Sequence, residues 1–259
     1  MTMTRRRRLL AASCLLPALV LAPLATARAE LSQTIPLVKR SVVGVGTEVR
    51  TRSPSIAFFG TGFVVGDGLS VITNAHVVPQ ASQDASKETL GIVLRERNGV
   101  AFRPARLVAL DREHDLAHLR LEGAPLPALQ LGEPDRAVEG AALAFTGFPL
   151  GMALGLHPAT HRATLAAITP IVTPSLSSRK LDARAITQLA HSGFDIYQLD
   201  GTAYPGNSGS PVYDPDSGVV QAVINMVFVK GLKETAISAP SGITYAIPVR
   251  HVHALLQQK

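Results

Sequence analysis

Apolar and polar positions exchange over short distances along most of this chain. Between residues 38 and 125, short runs rich in Val, Ile, Leu and Phe alternate with Gly and polar clusters, and no long stretch repeats its apolar residues every 3.6 positions. Such a pattern predicts β-strands rather than helices. The expected strands are residues 41–47, 60–65, 70–74, 89–95 and 115–121. In the last of these, Ala117, Leu119 and Leu121 fall on one face and Leu116, His118 and Arg120 on the other. Gly66-Asp67-Gly68 is a turn signal between two strands.

A polar stretch from Gly132 to Gly140, containing Pro134, reads as a connection between two halves. Strand-like runs resume at residues 141–147, 164–168, 195–199, 211–213, 219–228 and 243–247. Pro248 ends the last of them, and residues 249–258 predict one short terminal helix. Two comparable blocks of strands without intervening helices imply an all-β protein built as two barrels or sandwiches.

The first residues have a different character. Arg5 to Arg8 form a basic segment, an apolar run follows from Leu9, and Ala27-Arg28-Ala29 has the small-x-small pattern of a signal-peptidase site ahead of Glu30. The run is shorter than the roughly 20 residues of a spanning helix and contains Pro17 and Pro23, so residues 1–29 are expected to be a cleaved signal peptide, with no stable membrane insertion afterwards. The general and the twin-arginine export routes both fit the arginine run. The protein is thus expected in the periplasm or outside the cell.

Cleavage changes the charge. Five of the 25 basic residues and none of the 19 acidic ones leave with the segment, so a formal +6 falls to twenty against nineteen, or +1. The basic character belongs largely to the targeting segment, and the expectation of nucleic-acid binding loses its support. The one cysteine, Cys14, leaves as well, so neither a disulfide nor a thiolate metal site is expected. About 230 residues can bury enough surface to be stable without either.

The sharpest chemical signal is Gly206-Asn207-Ser208-Gly209-Ser210-Pro211. A serine nucleophile needs a tight, exposed turn and backbone N–H groups aimed at a developing oxyanion, and a glycine at 206 lets the backbone bend for that purpose. Gly, Asn, Ser and Pro also compose ordinary turns, so the segment gains meaning from two others. Val71 to Val78 places His76 directly after an apolar strand, and Asp111 to Ala117 places Asp115 at the start of another. Each also has a plain structural role open to it, as a hydrogen-bonded core histidine and a strand-entry aspartate.

Together these segments resemble the protease domain of the HtrA/Deg branch of the trypsin-like serine peptidases. The matching pieces are Gly60 to Phe63, Thr73 to Val77, Asp115 to Ala117 and Gly206 to Pro211. Weaker matches are Gly147-Phe148-Pro149-Leu150-Gly151, Gln198-Leu199-Asp200 and Ile243 to Pro248. The resemblance implies two six-stranded antiparallel β-barrels of the chymotrypsin type with a short C-terminal helix. A first barrel would span about residues 38–131 and a second about 138–259, within one protease domain of residues 30–259. It implies a triad of His76 as general base, Asp115 as its orienting carboxylate and Ser208 as nucleophile. Gly206, Asn207 and Ser208 would form the oxyanion hole. Polypeptide substrates and no cofactor follow. A binding or chaperone-like module on the same fold is the alternative.

The departures from the family pattern are specific. Ser210 stands where the motif has a second glycine, and the fold is expected to tolerate it. The 39 residues from His76 to Asp115 and the 93 from Asp115 to Ser208 imply loop insertions near 79–104 and 151–194. Asn207 replaces the aspartate that pairs with a new N-terminus in digestive relatives, so activation by that ion pair is not expected. The chain ends 11 residues after Pro248, so the PDZ modules typical of HtrA proteins are not expected either. Thr202, six residues before Ser208, sits at the pocket floor by resemblance and carries no charge. With Ile224, Asn225, Met226 and Tyr245 as walls, it implies a small or medium apolar residue before the cut. Asp200 is expected to be structural or a pocket wall.

The pairs His114/His118 and His157/His161 have a helical metal-ligand spacing but lie in a strand and beside Pro158, so no metal site is expected. His251 and His253 are expected at the surface or as helix caps.

Overall fold

The computed structural model describes residues 30–79, 88–96, 99–170, 193–225 and 242–258. Twelve strands close into two antiparallel barrels. The first contains β1 (Val42–Glu48), β2 (Ile56–Val65), β3 (Ser70–Thr73), β4 (Thr89–Glu96), β5 (Gly99–Asp111) and β6 (Leu116–Leu121). Their order around the barrel is β1-β2-β3-β6-β5-β4. The second contains β7 (Ala142–Gly147), β8 (Ala159–Pro170), β9 (Asp195–Asp200), β10 (Pro211–Tyr213), β11 (Val220–Asn225) and β12 (Ile243–Pro248), in the order β10-β11-β12-β9-β8-β7. Closure leaves neither barrel a free sheet edge.

A helix α1 (Leu31–Lys39) precedes the strands and a helix α2 (Val249–Gln257) ends the chain. The sequence pattern anticipates α2. It misses α1, because Pro36 lies inside the helix and removes one backbone donor. Spacing decides in favour of a helix: Leu31, Thr34 and Val38 lie three and four apart and are buried together.

Val43, Val45, Val64, Val71, Ile92 and Leu119 fill the first barrel. Phe145, Leu165, Leu199, Val212 and Ile224 fill the second. A third cluster joins the barrels, with Phe63, Ile72 and Leu116 from one, Val220, Val223 and Ile247 from the other, and Val252 and Leu255 of α2 laid across them. This explains why both faces of β6 are shielded although its sequence alternates: α2 covers the side that holds Leu116. The connection between barrels runs through the same seam, bridging Leu129 to Val65 of β2 and Leu131 to Val220 of β11.

The expected insertions resolve in part into strands. β5 and the early half of β8 occupy ranges that read as loop, while residues 80–87 and 171–192 lie outside the described part of the chain. β5 is hard to read because it is mostly half-buried along its length, so it has no continuous apolar face, and it carries Pro104.

Candidate functional site

His76 sits in a 3₁₀ turn, Ala75–Val77, directly after β3. Asp115 lies just ahead of β6 with a φ of 52°, a left-handed conformation that Asp adopts more readily than most residues. Its backbone carbonyl accepts the Ala75 N–H at 3.1 Å and the Asn74 side-chain amide at 3.0 Å. Its carboxylate accepts the His76 N–H at 2.8 Å and faces His76 Nδ1 at 2.6 Å. An ionised carboxylate only accepts, so Nδ1 carries the proton and the Nε2 lone pair is left to act as a base.

Asn225, at the end of β11, donates its side-chain amide to the same carboxylate oxygen at 2.8 Å. The sequence reading expected Asn225 as a pocket wall. Its fully buried amide instead reaches from the second barrel to fix a carboxylate of the first.

Ser208 lies in a turn between the barrels, 6% exposed. Gly206 has φ 99° and Gly209 φ 85°, both in the region that favours glycine. A Cβ at 206 would collide with the Phe148 carbonyl, and one at 209 with the Thr61 carbonyl. The backbone N–H groups of Gly206 and Ser208 donate to no described residue. Asn207 is different. Its N–H donates to the Tyr204 carbonyl at 2.9 Å, so it does not belong among the expected oxyanion donors. Its side chain is fully buried, and neither polar atom has a partner among the described residues.

Thr61 of β2 holds this turn against the first barrel. Its N–H donates to the Ser208 carbonyl at 2.8 Å, and its hydroxyl donates to the Gly206 carbonyl at 2.7 Å while accepting the Phe148 N–H at 3.1 Å. The Thr61 carbonyl accepts the Thr73 hydroxyl at 2.7 Å. From the other side, Gly209 N–H donates to the Ile224 carbonyl and Ile224 N–H to Ser210. The motif Gly-x-Gly-Phe in the sequence gives no weight to its variable position, which is where Thr61 lies. Among the described residues, no hydrogen bond links Ser208 Oγ to the His76 imidazole, an open arrangement common in unliganded catalytic sites.

The expected pocket residues divide. Thr202 is half-buried in the segment leading to Ser208, and that segment is fastened where the Thr244 hydroxyl accepts the Ala203 N–H at 3.0 Å and donates to the Gly201 carbonyl at 2.6 Å. Ile224 is fully buried in the second barrel, and Tyr245 is half-buried opposite Asn225. Met226 lies outside the described residues. Asp200 is exposed, on a groove it shares with Arg162 and Pro215.

His251 and His253, expected at the surface or as helix caps, are both half-buried. His251 of α2 stacks on His114 with ring centroids 3.8 Å apart, and His114 Nδ1 faces Asp111 at 2.6 Å. His253 is held to the Gly132 carbonyl at 2.8 Å.

A model of the trypsin-like peptidase domain matches residues 60–223, the span that carries His76, Asp115 and Ser208. The chain belongs to the trypsin-like peptidase family. The mitochondrial serine protease HTRA2 of Drosophila pseudoobscura pseudoobscura is 28% identical over 205 residues, 79% of this chain and 40% of that protein. HTRA2 of Drosophila willistoni is also 28% identical, over 79% of this chain and 39% of its own length. This trypsin-like domain therefore spans about 40% of the curated relatives it matches. Among solved structures, the active form of the Rv3671c protease of M. tuberculosis superposes with a TM-score of 0.60 at 22% identity, covering 87% of this chain and 83% of that one. The HtrA-type protease AlgW with a decapeptide gives 0.62 at 20%, covering 88% and 67%. At those identities the structural likeness speaks for the fold.

Proposed function

We propose that the protein is an extracytoplasmic serine endopeptidase acting on polypeptides, with His76, Asp115 and Ser208 as its triad. One observation carries this reading. The Asn225–Asp115–His76 chain of hydrogen bonds leaves the second imidazole nitrogen without a partner among the described residues, and in the turn of Ser208 the N–H groups of Gly206 and Ser208 donate to no described residue.

The steps follow from these groups. His76 takes the Ser208 hydroxyl proton as Oγ attacks the substrate carbonyl, and Asp115 stabilises the resulting imidazolium. The N–H groups of Gly206 and Ser208 receive the oxyanion, each donor being worth about 3 to 4 kcal/mol in comparable sites. The imidazolium then gives its proton to the leaving amine, and water releases the acyl group by the same route. No step requires a cofactor. Export of the chain rests on the basic and apolar segment ahead of Glu30.

Hydrolysis of unfolded casein by the purified protein, beside its Ser208→Ala variant, tests the reading. Cleavage by the first and not the second is expected, together with covalent labelling of Ser208 by a fluorophosphonate. Because no hydrogen bond among the described residues joins Ser208 Oγ to the imidazole, a second reading stands beside it, a binding module on the protease fold. An unlabelled Ser208 and binding of unfolded polypeptide without cleavage would establish that module instead.

A further inference from the structure

On the inner face of the second barrel lies a polar atom without a hydrogen-bond partner among the described residues. His161 of β8 stands directly opposite Phe145 of β7, and cross-strand partners project to the same side of a sheet. Phe145 belongs to the barrel interior with Ala203, Ile224 and Ala246. The imidazole follows it inward, stacked on the Phe145 ring with centroids 4.9 Å apart and planes at 17°. Tyr204 meets the same imidazole at a tilt, centroids 6.2 Å apart. Nε2 of His161 is buried and has no hydrogen-bond partner among the described residues.

The position ties this atom to the reaction. Ala203 and Tyr204 immediately precede the turn of Gly206 and Ser208, and the Tyr204 carbonyl holds the Asn207 N–H. Ile224, on the opposite wall, holds the Gly209 N–H. Tyr204, four residues before Ser208, thus brings the His161 ring against the segment that leads to Ser208.

We propose that His161 is the specificity-determining residue of the primary substrate pocket, and that it selects a carboxamide, glutamine or asparagine, immediately before the cut bond. This rests on the serine-peptidase reading above. Burial holds the imidazole below the ordinary histidine range, so the ring is neutral at pH 7. A neutral imidazole offers one donor and one acceptor, and a carboxamide carries both, so it satisfies Nε2 in either tautomer. An aliphatic side chain would leave Nε2 unpaired, which a site built for hydrogen bonding penalises. A carboxylate or ammonium would lie among Phe145, Ala203, Ile224 and Ala246, with no counter-charge in that cluster of described residues. Arg162, the adjacent residue in β8, projects from the opposite face and is exposed. The proposal replaces the apolar preference expected from Thr202, Ile224 and Tyr245.

The test uses peptides that differ only before the cut bond, pairing glutamine with its near-isosteres methionine and glutamate, and asparagine with leucine. The purified protein is expected to cleave the glutamine or asparagine peptide with a kcat/KM at least tenfold above its apolar partner. His161→Phe, which keeps the stack on Phe145, and the smaller His161→Leu are expected to erase that ratio while still cleaving the apolar peptides. Equal rates for carboxamide and isostere, or a ratio that survives both variants, overturn the assignment. Calorimetric binding of the same peptides to Ser208→Ala reads the pocket without turnover: tighter binding of the carboxamide peptides supports His161, and indifference overturns it. A protein that neither labels with fluorophosphonate nor cleaves any peptide overturns the peptidase reading, while the binding series still decides the pocket.

Discussion

Gly147 and Ser210 share one space: a Cβ placed on Gly147 would fall on the Ser210 hydroxyl. Ser210 is fully buried and its Oγ has no partner among the described residues. The left-handed backbone of the turn is carried by Gly206 and Gly209, not by Ser210, so a side chain at 210 needs only room. The missing side chain at the end of β7 supplies it. Gly147→Ala is therefore expected to destabilise the fold by about 1 to 3 kcal/mol, as overpacking of a close core does, and to suppress fluorophosphonate labelling of Ser208. Ser210→Gly removes a buried hydroxyl without a partner and is expected to leave stability unchanged or raised. The double variant recovers only part of the loss, because Asn207 Oδ1 at 2.8 Å and Thr61 Oγ1 at 3.0 Å still crowd a Cβ on Gly147. Denaturant midpoints of the three variants measure this, and a Gly147→Ala protein as stable as the parent would contradict the account.

Thr61 binds the Ser208 turn through both backbone and hydroxyl, and the hydroxyl accepts as well as donates. Thr61→Val keeps the shape and removes the hydroxyl, leaving the Gly206 carbonyl and the Phe148 N–H without that partner. Buried groups orphaned this way cost about 1 to 3 kcal/mol. The loss falls on Gly206, whose N–H receives the oxyanion in the proposed reaction, so kcat is expected to fall at least tenfold with KM little changed. Steady-state kinetics on one peptide separate the two parameters; a change confined to KM would place Thr61 in substrate binding.

The legibility of this molecule follows the range of its interactions. Strands with one continuous apolar face, such as β6 and β12, can be read from sequence because the face is local. β5 and α1 cannot, since the half-buried positions of one and the Pro36 of the other give no clean period. At the site, His76, Asp115 and Ser208 stand out because their neighbours in sequence form motifs. Thr61 and Asn225 do not, because each acts on a residue far away in the chain: Thr61 on Gly206, and Asn225 on Asp115. His161 shows the same limit. Its spacing from His157 suggests only a metal pair, and the register of β7 against β8 is what turns it toward Phe145.

Asn225 supplies the prediction that separates orientation from structure. Asn225→Ala removes a hydrogen bond to an ionised carboxylate, an interaction worth about 1.5 to 3 kcal/mol. If the bond holds Asp115 in line with His76, that loss appears in kcat/KM as a fall of about 10- to 100-fold. Asn225→Ser, which keeps a donor on a shorter arm, is expected to recover part of it. A variant that unfolds earlier but turns over normally would make the bond a strut between the barrels instead.

His251 makes stability depend on pH. Burial pushes its imidazole down to about 4, and His114 and Arg250 beside it press the same way, while Asp111 and Asp135 only partly oppose them. The unfolded chain takes up this proton near the ordinary histidine value and the folded chain only near 4. Between those values the unfolded state binds more protons, so stability is complete above the histidine range and declines as pH falls toward 4, levelling below it. His118 and His161, also lowered by burial, contribute in the same direction. His251→Phe keeps a ring against His114 and removes the titration. Its urea midpoint is expected to vary less than the parent's from pH 7 to pH 4, the parent falling relative to the variant toward the acid end. Parallel curves over that interval would mean that His251 accepts its proton without disturbing α2, and that the stack on His114 carries no pH dependence.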